Sequence, residues 1–206
     1  MNISVRVEEV RDYRRVEAIT RAAFDYPARI ARGGLACPYE HWMVHELRKR
    51  DGIRELSLVA EVAGKIVGHI ICSNAIVRTD EREFPVLNFG PLSVLPAYQR
   101  QGVGKALMNA MLEMASRQGY GAILFFGRPE YYPQFGFKTA AYYGISDCEG
   151  QNYAAFMAME LIPGYLACAY GGRYFESDIY DDNLNRERVE AFDRQFNKNE
   201  LTDGHL

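Results

Sequence analysis

Between Val86 and Gln118 the hydrophobic period of this chain changes once, across a tight turn that carries two glycines two residues apart. Val86–Leu95 is mostly apolar and reads as a strand; Gly90-Pro91 inside it points to a bulge or to the end of pairing there. Gly102–Gln118 holds the strongest helical pattern in the sequence. Val103, Ala106, Leu107, Ala110, Met111 and Met114 fall on one face, and Gly119 follows as a C-cap. The strand ends at Pro96, and the turn feeds straight into the helix.

The elements around this joint alternate in type. Val5 and Val7 alternate with Arg6 and Glu8 as a short first strand. Asp12 offers an N-cap for a helix through Phe24, marked by Val16, Ile19, Ala23 and Phe24. Pro27, Gly33, Gly34 and Pro38 make Asp25–Pro38 a loop. A second helix is expected over Tyr39–Arg50, where Arg48-Lys49-Arg50 complements the negative end of its dipole. Leu56–Val62, the turn Ala63-Gly64-Lys65 and Ile66–Val77 form a hairpin, and Thr79–Glu83 is a charged connection. Ala122–Phe126 is a short strand buried on both faces. Pro129–Phe135 is a turn or short helix, and Gly136–Tyr143 and Ala154–Leu161 are strands. An aromatic-rich stretch (Tyr165, Tyr170, Tyr174, Phe175, Tyr180) follows Pro163-Gly164. A polar helix over Asn185–Phe196 and a frayed end at Asn197–Leu206 complete the chain. The fold class is α/β (α+β): a single mixed β-sheet with helices on both faces, in the order βααβββαβαββ, plus a C-terminal extension.

Composition narrows the function classes. At 206 residues and 48% hydrophobic content the chain can build one full-sized core. It has no apolar run of membrane-spanning length, and its first residues lack the apolar centre of a signal peptide, so a cytoplasmic protein without membrane association is expected. The four cysteines (Cys37, Cys72, Cys148, Cys168) form no CxxC pair, and no metal is expected. A net charge of −3 argues against nucleic acid as a partner. The charge is uneven: residues 1–144 carry 19 Lys+Arg against 15 Asp+Glu, and residues 145–206 carry 5 against 12. A basic front suits a polyanionic cofactor, and the acidic tail is either a lure for a cationic substrate or a solvated face.

The turn is where chemistry is expected. The first amides of its helix have no partner inside the helix and carry the positive end of the dipole, so they can hold phosphate. Arg100 and Lys105 add positive charge. Spacing excludes two other phosphate motifs: a P-loop would need Gly at Gln99 and Ser or Thr at Ala106, and a dinucleotide fingerprint would need Gly at Leu107.

What remains, Gln99-Arg100-Gln101-Gly102-Val103-Gly104, resembles the pyrophosphate-binding motif of the Gcn5-related N-acetyltransferase (GNAT) family. A second segment, Tyr132-Pro133-Gln134-Phe135-Gly136-Phe137, looks like the same family's Tyr-x-x-x-Gly-Phe segment. Gly90-Pro91-Leu92 and the Tyr131-Tyr132 pair resemble a bacterial branch of unassigned substrate. The resemblance implies an acetyl-CoA-dependent N-acetyltransferase that uses acetyl-CoA as co-substrate. It covers about Ile3 to Leu161, giving a cofactor-binding domain over residues 1–163 and an acidic, aromatic-rich extension over 164–206 packed on it. It implies that amides from Gln101, Gly102, Val103, Gly104 and Lys105, in the turn begun by Gln99 and Arg100, hold the pyrophosphate. It further implies that the backbone of Leu92, Ser93 and Val94 pairs with the pantetheine arm. Tyr132 is then the general acid that protonates the departing thiolate, a role open to a phenol that stays protonated at neutral pH. Tyr131 is assigned to packing.

Resemblance also exposes a gap. Histone-acetylating members place a glutamate base fourteen residues ahead of the first glycine, and here that position is Asn88, whose amide cannot accept the proton. Glu83 and Glu61 are nearby alternatives, and no base is assigned. His41 and His45 share a helix face and are open as acceptor-binding or base groups, against a default of ordinary half-buried histidines; His69 reads as a core residue. The acceptor is an amine of a small molecule or peptide, with Glu176, Asp178, Asp181 and Asp182 hinting at a cation. A homodimer stays open. The competing class is a non-catalytic acyl-CoA-binding sensor or interaction module.

Overall fold

The computed structural model describes residues 1–26 and 37–196. Its elements are β1 (Ser4–Val7), α1 (Tyr13–Phe24), α2 (Glu40–Leu47), β2 (Gly52–Val62), β3 (Lys65–Arg78), β4 (Glu83–Val94), α3 (Val103–Arg117), β5 (Ala122–Phe126), β6 (Lys138–Thr139), β7 (Phe156–Glu160), β8 (Arg173–Phe175) and α4 (Asp182–Asp193). The strands form one mixed sheet in the order β1-β2-β3-β4-β5-β7-β6, and β8 pairs with β3. Contacts gather into two compact units, and β3, β4 and α3 run through both. Most of the expected loop at 25–38 and the whole expected frayed end at 197–206 lie outside the described residues.

The first unit comprises Met1–Ile71, Pro91–Ala110 and the chain from Asp178 on. β1 runs antiparallel to β2, from Ser4↔Glu61 to Val7↔Leu58. Val16 and Ile19 of α1, Val44 and Leu47 of α2, and Leu56 and Leu58 of β2 are fully buried together with Leu107. Asp12 occupies the N-cap position of α1, as the sequence suggests, but its side chain makes no cap hydrogen bond to the helix. Its carboxylate instead accepts the Glu9 amide (2.8 Å) and the Arg6 guanidinium (2.6 Å), fixing a 3-10 turn that precedes the helix. α4 starts at Asp182 rather than Asn185, because Asp181 accepts the Asn183 amide at 2.9 Å and supplies the cap. Tyr39 Oη donates to Ile179 O (2.6 Å), and Asn185 Nδ2 donates to Tyr39 Oη (3.1 Å).

The second unit comprises Cys72–Gly90 and Met111–Ser177. β4 and β5 are parallel through Leu87↔Ile123, β5 and β7 antiparallel from Ala122↔Glu160 to Phe126↔Phe156, and β8 antiparallel to β3 through Val77↔Tyr174. Val77, Phe84, Val86, Leu124, Phe156 and Tyr174 lie in its core.

Element order departs from expectation after β5. The short helix is a 3-10 turn over Tyr132–Phe135, since Pro133 lacks an amide hydrogen and Gly136 leaves the helical region at φ +97. The expected strand Gly136–Tyr143 shrinks to Lys138–Thr139, and Ala140–Tyr143 curls into another 3-10 turn that stops at Gly144. The aromatics there carry strand propensity, but turns at both ends leave no length for pairing. β8 is an additional strand inside the aromatic-rich stretch. Gly90-Pro91 does not break β4, which continues through Gly90 at φ +152 to Val94.

Candidate active site

Beyond Val94 the chain makes a 3-10 turn over Pro96–Tyr98, a tight turn over Gln99–Gly102, and enters α3 at Val103. Two side chains hold this turn. Gln99 Nε2 donates to Val94 O at 3.1 Å, and Gln101 Nε2 donates to Ala97 O at 2.7 Å. Arg100 (φ +59) and Gly102 (φ +93) both take left-handed conformations, of the kind found in backbone concavities that bind anions. A Cβ on Gly102 would meet only Ile3 Cδ1 at 3.8 Å, so conformation, not crowding, calls for glycine there. Backbone bonding of α3 begins at Ala106 N–H to Gly102 O (2.9 Å); the amides of Val103, Gly104 and Lys105 precede it and have no helical acceptor. Gln101, Gly102 and Lys105 are exposed, whereas the Val103 side chain is buried and leaves only its backbone to a ligand.

Close packing fixes the helix start. A Cβ on Gly68 of β3 would lie 3.0 Å from both Ser93 O and Val103 Cγ1 and 3.1 Å from Leu107 Cδ1. The missing side chain lets α3 sit directly on β3. Gly68→Val should therefore displace the first turn of α3 and weaken coenzyme A binding by about 10-fold or more, measured by calorimetry on folded protein. Ser93 is buried, with Oγ 3.0 Å from Thr20 Oγ1, so it too can offer a ligand only main-chain atoms; Leu92 and Val94 are half-buried. Carried forward from Leu87↔Ile123, the β4–β5 register puts the last β5 residue, Phe126, level with Gly90. β4 runs on four residues further, to Val94.

In the second unit Tyr132 stands in an aromatic cage. Its ring centroid lies 4.6 Å from Phe125, 5.6 Å from Phe89, 6.1 Å from Phe137 and 5.1 Å from Tyr131. Burial pushes its phenol up to about 12. A proton donor results that holds its proton throughout the neutral range. Burial also raises the half-buried Tyr131.

Asn88 is buried, and its Nδ2 donates to Glu176 Oε2 at 2.6 Å. Tyr174 Oη lies 3.1 Å from the same oxygen and 3.0 Å from Leu124 O. Burial pushes the Glu176 carboxyl up to about 7, against the opposing pull of the Tyr174 and Asn88 hydrogen bonds. In the sequence Glu176 is one of four acidic residues between Glu176 and Asp182 and lies 88 residues from Asn88, with no spacing rule to join them.

The other acid–base candidates are otherwise engaged. Glu61 pairs with Arg6 (2.7 Å) and Glu83 with Arg78 (2.7 Å). His41 is fully buried among Phe192 and Phe196, with Nε2 3.2 Å from Asp193 Oδ1, and burial holds it down to about 4. His45 Nδ1 lies 3.0 Å from Glu17 Oε1. Both histidines serve the α1–α2–α4 packing. His69 is a core residue, 3.0 Å from Ser57 Oγ. Asp178 pairs with Arg50 at 2.7 Å. Among the described residues no three His, Cys, Asp or Glu gather as metal ligands, no helix is long and apolar enough to cross a membrane, and no disulfide joins the cysteines.

Residues 54–139 match the acetyltransferase (GNAT) domain. The chain is 37% identical over 87 residues to the uncharacterized N-acetyltransferase YjhQ of Escherichia coli K12, which covers 42% of this chain and 48% of that protein. The chain thus spans about half the length of the curated relatives it matches. In fold it is similar to the GNAT family N-acetyltransferase YhbS of Escherichia coli in complex with CoA, with a TM-score of 0.74 and 23% identity over 88% of this chain and 93% of that one. A GNAT family acetyltransferase of Brucella melitensis in complex with acetyl-CoA gives a TM-score of 0.63 and 24% identity over 87% and 99%.

Proposed function

With an acetyltransferase (GNAT) domain over residues 54–139, this chain is a member of that family, and we propose that it transfers an acetyl group from acetyl-CoA to an amine by direct attack. The observation that carries this is the exposed Gln99–Gly102 turn, pinned by two glutamine side chains, whose helix presents three amides without helical acceptors. Such a cradle suits a pyrophosphate, and Arg100 and Lys105 add charge of the right sign. The stretch of β4 that runs on past Gly90 supports main-chain pairing between Leu92–Val94 and an extended pantetheine arm. Bound acetyl-CoA supplies an electrophilic thioester carbonyl and a thiolate leaving group.

Tyr132 is the general acid in this reading, since its raised pKa keeps a proton ready for the departing sulfur. The amine acceptor belongs to a small molecule or a peptide. Asp178 and Asp181 are committed to an ion pair and a helix cap, whereas Glu176 pairs with no cation among the described residues. Release of free thiol from acetyl-CoA with a panel of primary amines tests the proposal. Tyr132→Phe should lower kcat by about 10²-fold or more with acetyl-CoA affinity unchanged. Wild-type kcat should show no alkaline decline from this tyrosine below about pH 10. Tight acetyl-CoA binding without turnover on any amine, and no effect of Tyr132→Phe, would favour the binding module instead, a reading that Asn88 keeps in play.

A further inference from the structure

We propose that Glu176 is the general base that takes the proton from the acceptor amine. The inference rests on the acetyl-transfer reading and adds a catalytic residue to it. Glu176 Oε2 is held by two neutral donors, Asn88 Nδ2 and Tyr174 Oη. Its Oε1 accepts no hydrogen bond among the described residues and is not sealed from solvent. One oxygen is thus fixed and the other is available. Among the described residues no cation pairs with this carboxylate, in contrast to Glu83 with Arg78 in the same unit. Glu160 and Asp147 are occupied by main-chain amides: Leu166 N–H donates to Glu160 Oε1 (2.8 Å) and Gln151 N–H to Asp147 Oδ1 (2.7 Å). Glu176 thus combines shelter, neutral hydrogen-bond partners from the sheet and a spare acceptor oxygen.

Its surroundings suit an incoming amine with an apolar stem. Phe126 is 44% exposed and stacks on Phe156 at 4.7 Å, which in turn meets Tyr174 at 5.3 Å. Phe126 is the ring of this group that reaches solvent; Phe156 and Tyr174 are buried, and Tyr174 carries the hydroxyl that meets the carboxylate. β4 then separates the two proton-transfer groups. Consecutive residues of a strand point to opposite faces, so Asn88 reaches Glu176 on one face while Phe89 meets Tyr132 on the other.

The bookkeeping closes. An ammonium gives one proton to the Glu176 carboxylate, and the neutral amine attacks the thioester carbonyl carbon, forming C–N. The C–S bond breaks, the thiolate takes the Tyr132 proton, and the second proton of the former amine nitrogen passes through water to restore the phenol. Glu176 returns its proton to water, leaving an amide and free coenzyme A. A carboxyl lifted to about 7 is a better base near neutrality than an ordinary one.

The test is the pH dependence of kcat at saturating amine and acetyl-CoA. Wild-type kcat should rise with pH through about 7, because Glu176 works deprotonated. Glu176→Gln should lower kcat by about 10²-fold or more and abolish that limb, with acetyl-CoA affinity unchanged; Glu176→Asp should keep the limb at a reduced rate. Asn88→Leu removes a hydrogen bond that stabilises the ionised form and should move the limb to higher pH. A folded Glu176→Gln enzyme that keeps the wild-type rate, or keeps the limb, overturns the proposal. Should that variant fail to fold, an unmoved limb in Asn88→Leu overturns it equally. Wild-type protein that binds acetyl-CoA but acetylates no amine sinks the underlying activity instead, a result easily told from the other two.

Discussion

Gly102→Glu should bind acetyl-CoA at least about 10²-fold more weakly than the wild-type chain while remaining folded. Three effects act together. Gly102 sits at φ +93, where a residue with a Cβ is strained by about 1–2 kcal/mol, so the turn relaxes away from its present shape. The new side chain stands at the exposed start of α3, over amides that would otherwise meet the pyrophosphate. A carboxylate there competes for those amides and repels the ligand's negative charge. Open space around the position, with Ile3 Cδ1 the nearest contact at 3.8 Å, means no core group is displaced. The melting temperature should fall by only about 2–8 °C. Gly102→Ala carries the strain without the charge and should lose less affinity; Gly102→Lys adds bulk with an attractive charge and should also lose less than Gly102→Glu. Titration calorimetry with circular dichroism decides the matter: unchanged affinity in a folded Gly102→Glu protein would place the pyrophosphate elsewhere.

The turn was legible because its requirements are local. Positive φ, amides without acceptors and a strand-to-helix change of period all leave marks within a dozen residues, and Gln99–Lys105 shows them. Even so, the sequence did not reveal what Gln99 and Gln101 do. Their reach back to Val94 and Ala97 depends on the path of the turn rather than on spacing alone. The stretch after β5 was misread because Tyr142-Tyr143 has the propensity of a strand, whereas turns ending at Gly136 and Gly144 set the limits. Glu176 illustrates the harder case. Its partnership with Asn88 exists only because β8 pairs with β3 and brings the aromatic-rich stretch back to the sheet. Long-range pairing of this kind leaves no periodic trace. His41 and His45 show the converse: a shared helix face is visible in sequence, but that Phe192 and Phe196 cover His41, and Phe192 lies against His45, is not.

Arg48→Met should cost about 3–5 kcal/mol of folding stability at neutral pH, a large part of what a domain of this kind possesses. Arg48 is nearly buried, with Nε 3.1 Å from Glu8 Oε2 and Nη1 2.8 Å from Glu17 Oε1, and it lies over the Tyr13 ring at 4.1 Å. Burial on its own would raise the Glu8 carboxyl. The hydrogen bond and charge of His69, together with Arg48, overcome that and hold it down to about 2. His69, however, is itself pushed below the ordinary histidine value by burial, so at neutral pH it is uncharged. Arg48 is then the cation that keeps Glu8 ionised inside the core. Because the folded pKa of Glu8 is depressed, its contribution is fully present above the ordinary carboxylate value and is lost as pH falls toward about 2. Without Arg48 the pattern reverses. Glu8 is left buried without a strong counter-charge, the variant is weakest at neutral pH, and mild acid narrows its deficit by protonating Glu8. Urea unfolding at neutral and mildly acidic pH measures both effects. Adding Glu8→Gln to Arg48→Met should recover part of the loss, since a neutral amide can bond Ser57 and His69 without needing a cation. A cost below about 1 kcal/mol for Arg48→Met would mean that water, not the guanidinium, compensates these carboxylates.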